Sequence, residues 1–262
     1  MKNRVSFVEN YLDSLIPNPW CELNFTTDYE LLIAIVLSAQ TTDKRVNQVT
    51  KVLFEKYNSL DLLKQAPIAD LEIILRPLGS YHKKAQYVHD ISETLVDKYN
   101  SKVPKERSKL ESMPGVGRKT VNVFLSEYYN YPAFAVDTHV ERVSKRLGLV
   151  KETDNVITIE SKLKQKFKRE NWSKTHKQFV LFGRYHCKAV KPDCTSCGLA
   201  NICTKKKEWF SLIIPLLCSF FFISNRYSWT ICYRTRNIAT KSSICLWTCI
   251  RYFCTISNIW IL

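Results

Sequence analysis

The chain has 262 residues, 45% of them apolar, and carries 39 Lys and Arg against 24 Asp and Glu, a net charge of +15 with a pI of about 9.3. That length and apolar content exclude a disordered polypeptide and allow a sizeable core, as one domain or two small ones. The cationic excess points to a polyanionic partner, either nucleic acid or an acidic membrane surface.

The first ten residues are polar and show no apolar leader. Cys21 is the one cysteine among the first 186 residues, so no disulfide framework is present there. Both features suit a reducing bacterial cytoplasm, where clustered cysteines read as metal ligands.

In chain order, Thr27-x-x-Glu30 is a capping box that opens an apolar run over residues 31–39. The run is apolar nearly all round, which predicts a buried central helix. Gln40-Thr41-Thr42-Asp43 breaks it, and Thr42 or Asp43 caps a second helix through Val46, Val49, Leu53 and Phe54. Pro67 leads a helix with Ile68, Leu71, Ile74 and Leu75, which stops before Pro77-Leu78-Gly79. Ala85, Val88, Ile91, Leu95 and Val96 give residues 84–99 a helical period.

Ser108-x-x-Glu111 is a further capping box, followed by Met113-Pro114, the hairpin Gly115-Val116-Gly117 and a helix over 118–129. Thr138-x-x-Glu141 caps the next helix, which ends at Gly148, and residues 157–167 and 174–182 form two more basic amphipathic segments. No segment shows sustained strand alternation, so the fold class is all-α.

From about Trp209 the composition changes. Residues 209–262 contain no Asp, Glu, Gly or Val, and five cysteines are scattered through them without period. Residues 212–223 are apolar but short for a membrane span and interrupted by Pro215. We read 208–262 as an aberrant, unfolded tail, such as the product of a shifted reading frame. The protein then has no membrane partner unless that tail is an anchor.

Three constellations carry chemistry. Two glycines around Val116 allow a tight turn whose backbone N–H groups face outward at a helix N-terminus, where they bind phosphate; the bland alternative is a plain helix connection. Arg118 and Lys119 follow, where a nucleic-acid backbone would lie. Lys119 sits in the first helical turn. The positive helix end and Arg118 both disfavour an ammonium there, which suits a Schiff-base nucleophile; an ordinary phosphate-contacting lysine is the alternative. Asp137, eighteen residues on, lies at another helix N-terminus. Its carboxylate either caps that helix or stabilises positive charge on a sugar carbon. His139 contacts phosphate or lies on a helix surface. Finally, Cys187, Cys194, Cys197 and Cys203, spaced C-x6-C-x2-C-x5-C, suit tetrahedral zinc or an iron–sulfur cluster. Lys188 and Lys191 place positive charge in the same loop, within reach of a DNA backbone.

Met113-Pro114-Gly115-Val116-Gly117-Arg118-Lys119-Thr120, Val136-Asp137-Thr138-His139, the four cysteines, residues 37–43 and Gly183-Arg184-Tyr185 together resemble the endonuclease III family of helix-hairpin-helix DNA glycosylases. The resemblance covers roughly residues 8–206. It implies a bilobal all-α fold, with a six-helix bundle over 22–131 and a helical iron–sulfur domain built from 1–21 and 132–207. It implies base-excision repair: removal of oxidised pyrimidines, then strand cleavage 3′ to the abasic site by β-elimination through a lysine Schiff base. Lys119 would be the nucleophile and Asp137 its partner. Glu111 would lie near the pocket, and Gln40 would fill the space left by the flipped base. Tyr81, Lys84, Gly115, Val116, Gly117, Arg118, His139 and Lys191 would contact DNA. Cys187, Cys194, Cys197 and Cys203 would hold one 4Fe-4S cluster.

The implied partner is double-stranded DNA containing damaged pyrimidines or abasic sites, bound by a monomer associated with the nucleoid. Ser80 departs from the family, which often has Leu there, so insertion into the duplex would lean on Tyr81 or His82. Monofunctional adenine glycosylases share the hairpin, aspartate and cluster but lack a lysine at 119. A DNA-binding or redox module without catalysis has no need of Lys119 and Asp137 together.

Overall fold

A computed structural model describes residues 2–204, so the expectation for residues 208–262 lies outside the described part. Within it are eleven α-helices and no strand. They are α1 (Lys2–Leu15), α2 (Asp28–Leu37), α3 (Asp43–Lys56), α4 (Leu60–Gln65), α5 (Ile68–Leu75), α6 (Tyr81–Tyr99), α7 (Arg107–Glu111), α8 (Arg118–Tyr129), α9 (Thr138–Arg146), α10 (Val156–Lys166) and α11 (Trp172–Tyr185). None of these helices is long and apolar enough to cross a membrane.

The buried apolar side chains fall into two clusters. The first runs from Leu23 to Leu125 and centres on α2, every residue of which from Leu31 to Leu37 is buried. This helix packs against α3, α6 and α8. Each Leu or Ile so enclosed contributes roughly 1.5–3 kcal/mol of transfer free energy, which is why a helix with no polar face holds the centre. The second cluster joins Val8 and Leu12 of α1 to Phe134, Val140 and Val143, to Ile159 and Leu163 of α10, and to Phe179 and Phe182 of α11.

Local signals set several boundaries. Thr27 forms the expected capping box with Glu30. Two other expected caps are displaced by one or two residues. Helix α7 starts from Glu106, not Ser108, and without a side-chain cap bond. Helix α9 is capped by Asp137 itself, whose carboxylate accepts from Val140 N at 2.7 Å, while Thr138 is the first helical residue. An Asp in extended backbone one residue earlier outcompetes the Thr for the orphan N–H groups. Helix α4 went unread in the sequence because six residues show no period; its signal was Ser59, which accepts from Leu62 N.

At the hairpin, Gly115 has φ +73 and a Cβ there would meet the Tyr87 ring at 2.7 Å. Gly117 has φ −97, and a Cβ there would meet nothing within 4 Å. Val116 between them is buried, as expected. We therefore expect Gly115→Ala to destabilise the protein by roughly 1–3 kcal/mol through backbone strain and overlap. Gly117→Ala should stay within about 0.5 kcal/mol. Thermal melts of the two variants check this.

One imidazole is enclosed in the second core. His176 lies 6.1 Å from the Phe134 ring centroid, and burial pushes its pKa down to about 4. The unfolded chain takes up this proton near pH 6.5 and the folded chain only near 4. His176 therefore contributes stability that is complete above 6.5 and lost as pH falls through 4. Between pH 7 and pH 5 its share is on the order of 2 kcal/mol. Urea unfolding at both pH values should show this loss in the wild type and a smaller one in His176→Gln.

Candidate active site

The hairpin delivers α8 with its N-terminus at the mouth of a cleft of about 180 Å³. Lys119 and Asp137 line this cleft together, from the first turn of α8 and the cap of α9, with His176 and Lys177 from α11. Lys119 is exposed, and no hydrogen bond or ion pair among the described residues engages its amine. Asp137 is half-buried. Its Oδ1 is fixed by the cap bond, which holds the carboxylate in one orientation at the N-terminus of α9.

Arg118, expected to contact DNA, is also held by a carboxylate. Its guanidinium forms a two-pronged bond with Glu160, Nε to Oε2 at 3.0 Å and Nη2 to Oε1 at 3.1 Å. Its charge is thus met by a carboxylate that is itself 5% exposed.

The other expected DNA contacts divide by exposure. Gln40 is exposed and holds a left-handed backbone, φ +55, which costs a non-glycine residue on the order of 1–3 kcal/mol. Lys84, expected at the surface, is buried instead. Its Nζ donates to Ala39 O and Thr41 Oγ1, both at 2.9 Å, and burial lowers its pKa. It braces the strained turn that presents Gln40. Tyr81 is half-buried, with its ring 4.0 Å from that of His82, and His82 pairs with Glu72 at 2.8 Å. His139 is half-buried; Arg142 Nη2 lies 3.1 Å from its Nδ1, and burial lowers its pKa. Lys191 is exposed in the cysteine loop with φ +50. Glu111 lies outside the cleft lining and pairs with Arg107 at 3.0 Å.

The four cysteines converge on one small apolar cavity with Leu147, Phe182 and Ala200. None forms a disulfide. Burial pushes the Cys197 thiol up, and the sulfurs of Cys187, Cys203 and Cys194 push it the same way. Such a set is stable as thiolates only around a cation. No three of the sulfurs lie within 4.8 Å of one another. A single zinc at Zn–S distances of about 2.3 Å would hold them roughly 3.8 Å apart, so the wider set fits a cluster better than one ion. Arg146 supports the loop, donating to Cys187 Sγ at 3.3 Å and to Lys188 O at 2.7 Å.

Sequence reading missed two charged side chains of the cleft, Glu127 and Lys177, which pair at 2.8 Å. Glu127 was findable, because Lys119, Val123 and Glu127 recur at helical spacing on one face of α8. Lys177 was not, since its helix looked merely basic.

Residues 33–169 match the HhH-GPD superfamily of base excision DNA repair proteins. Endonuclease III of Bacillus subtilis (strain 168) is 42% identical over 205 residues, covering 78% of this chain and 94% of the relative. Endonuclease III of Escherichia coli (strain K12) is 38% identical over 192 residues, covering 73% and 90%. Among solved structures, a trapped endonuclease III–DNA covalent intermediate, an estranged-adenine complex, superposes with a TM-score of 0.77 and 45% identity over 80% of this chain and 99% of that one. The chain therefore belongs to the endonuclease III family, within the helix-hairpin-helix superfamily of base excision DNA repair proteins, and is an enzyme of the DNA glycosylase/AP lyase class.

Proposed function

We propose that the protein is a bifunctional DNA N-glycosylase that removes oxidised pyrimidines and cleaves the strand 3′ to the resulting abasic site. The observation that carries this reading is an unpaired Lys119 amine sharing one cleft with an oriented Asp137 carboxylate. The target sugar carbon is inaccessible in a stacked duplex, so the nucleotide must be everted into the cleft. The neutral Lys119 amine then gives its lone pair to C1′ while the glycosidic bond breaks, and the base leaves with that bonding pair. Asp137 stabilises the positive charge that develops on the sugar in between. Ring opening gives a C1′ imine. Loss of a C2′ proton then expels the 3′ phosphate, with the electrons of the C2′–H bond forming the new double bond.

The Gly115 and Gly117 N–H groups, Gln40, Tyr81 and Lys191 are the DNA contacts in this reading, while the Val116 N–H is spent on Met113 O at 3.2 Å, and two lobes built on the two apolar cores embrace the duplex. The enzyme acts as a monomer in the bacterial cytoplasm, on the nucleoid. Cys187, Cys194, Cys197 and Cys203 would hold one 4Fe-4S cluster, which fixes the loop carrying Lys188 and Lys191.

Borohydride trapping on a duplex bearing thymine glycol tests the lysine. The wild type should form a covalent adduct and Lys119→Gln should form none; an adduct that persists in the variant refutes the assignment. Asp137→Asn should slow single-turnover excision by a factor of 100 or more, roughly the loss typical of a transition-state charge contact, and leave DNA affinity within about threefold. Equal losses in both count against that role. The purified protein should be brown, absorbing near roughly 400 nm, with about four iron atoms per chain. Cys197→Ser should lose the colour, whereas a colourless protein with one zinc contradicts the cluster.

A further inference from the structure

Core packing alone does not account for Lys84. It stands in the first turn of α6 and is 4% exposed. Its two partners are uncharged: Nζ donates to Ala39 O and to Thr41 Oγ1, both at 2.9 Å. A buried ammonium costs desolvation that an apolar side chain of the same length would not. The carbonyl end of α2, just before Ala39, carries partial negative charge and meets the amine. Ala39 and Thr41 flank Gln40, so the amine grips this turn on either side of Gln40.

The gripped segment is strained. Gln40, with φ +55, and Ser80, with φ +56, are both non-glycine residues in the left-handed region. Such a conformation persists only where the surroundings over-determine it. Lys84 touches both positions: its side chain holds the turn around Gln40, and its N–H donates to Ser80 O at 3.2 Å. Tyr81 follows Ser80 directly. The Gln40 turn also borders the cleft. Ser38, Ala39 and Asp43 line it with Lys119, while Gln40, Thr41 and Asp43 line an adjoining cavity of about 810 Å³ with His139. An everted nucleotide leaves a gap in the base stack beside the cleft that receives it. Gln40 is an exposed side chain at that edge, with an amide donor and acceptor to offer the orphaned base.

We propose that Lys84 is a positioning residue for base eversion: it locks the turn carrying Gln40 to the start of α6, which carries Tyr81, so that the two side chains enter the duplex as one piece. The inference rests on the glycosylase reading above. Without the amine the turn relaxes out of the left-handed form, and Gln40 no longer fills the gap while Lys119 reacts. The acceptors released are not orphaned, because Ala39 is exposed and Thr41 half-buried, within reach of water. An abasic nucleotide has no base to unstack, so its entry into the cleft depends far less on this grip.

The test is single-turnover processing of two duplexes, one carrying 5,6-dihydrouracil and one a preformed abasic site. Lys84→Met should slow dihydrouracil excision about tenfold, the size of a strong pairwise coupling, and leave abasic-site cleavage within about threefold. Gln40→Ala should slow excision comparably in the wild type but by less than about twofold in the Lys84→Met background, because the two residues act through one turn. Thr41→Val removes one acceptor while keeping shape and charge, and it decides the matter where Lys84→Met does not fold. It should slow excision about threefold with no loss on the abasic duplex. Excision indifferent to Gln40→Ala, excision unchanged in the folded Lys84→Met or Thr41→Val protein, equal losses on both duplexes, or losses for Lys84→Met and Gln40→Ala that simply multiply would each overturn the proposal. Failure of the wild type to form a borohydride adduct on the abasic duplex would instead refute the lysine reading, and this proposal with it.

Discussion

Ion pairs tie the two cores together around the cleft. Arg184 of α11 reaches Glu22 and, at 2.5 Å, Asp43 of α3. Arg118 of α8 holds Glu160 of α10, and Glu127 of α8 holds Lys177 of α11. Each pair joins an element of the first apolar cluster to one of the second. Directional pairs fix the two faces at a set separation. The pairs therefore matter for geometry more than for stability, in keeping with the small net worth of buried ion pairs.

Helix α8 carries most of that geometry. Its N-terminus is set by a hairpin that needs one left-handed glycine against Tyr87. Its buried residues Val121, Phe124 and Leu125 pack into the first core, and Lys119 and Glu127 face the cleft. The hairpin, Lys119 and the inner wall of the cleft thus move as one rigid element. A rigid helix places a reactive atom more reproducibly than a loop, and near-attack geometry tolerates little displacement.

Much of this was readable from residue order alone, for physical reasons. An apolar run such as residues 31–37 can only be a buried helix or strand, and the Thr27–Glu30 box decided for helix. The hairpin, Lys119, Asp137 and the cysteines were legible because each depends on residue type at short spacing. What depended on distant partners was not. Lys84 reads as a surface cation until the turn at residues 38–42 folds over it. The carboxylate partner of Arg118, Glu160, lies 42 residues later. The Lys177 pairing spans 50 residues of chain, which no local pattern encodes.

Helix α9 shows how the cysteine loop and the catalytic cleft are mechanically one structure. Its N-cap is Asp137, and its nine residues span about 13 Å. On the face of this rod, Arg142 donates to Cys187 O at 3.1 Å and to Gly183 O at 2.8 Å. One turn later Arg146 donates to the carbonyls and sulfur of the same loop. Val140 and Val143 bury the opposite side in the second core. A rod clamped in this way cannot rotate without breaking several bonds at once. The conformation of the cysteine loop therefore sets the axial position of α9, and with it the placement of the Asp137 carboxylate in the cleft. A change in the conformation of that loop should displace the carboxylate even though none of its four cysteines lines the cleft.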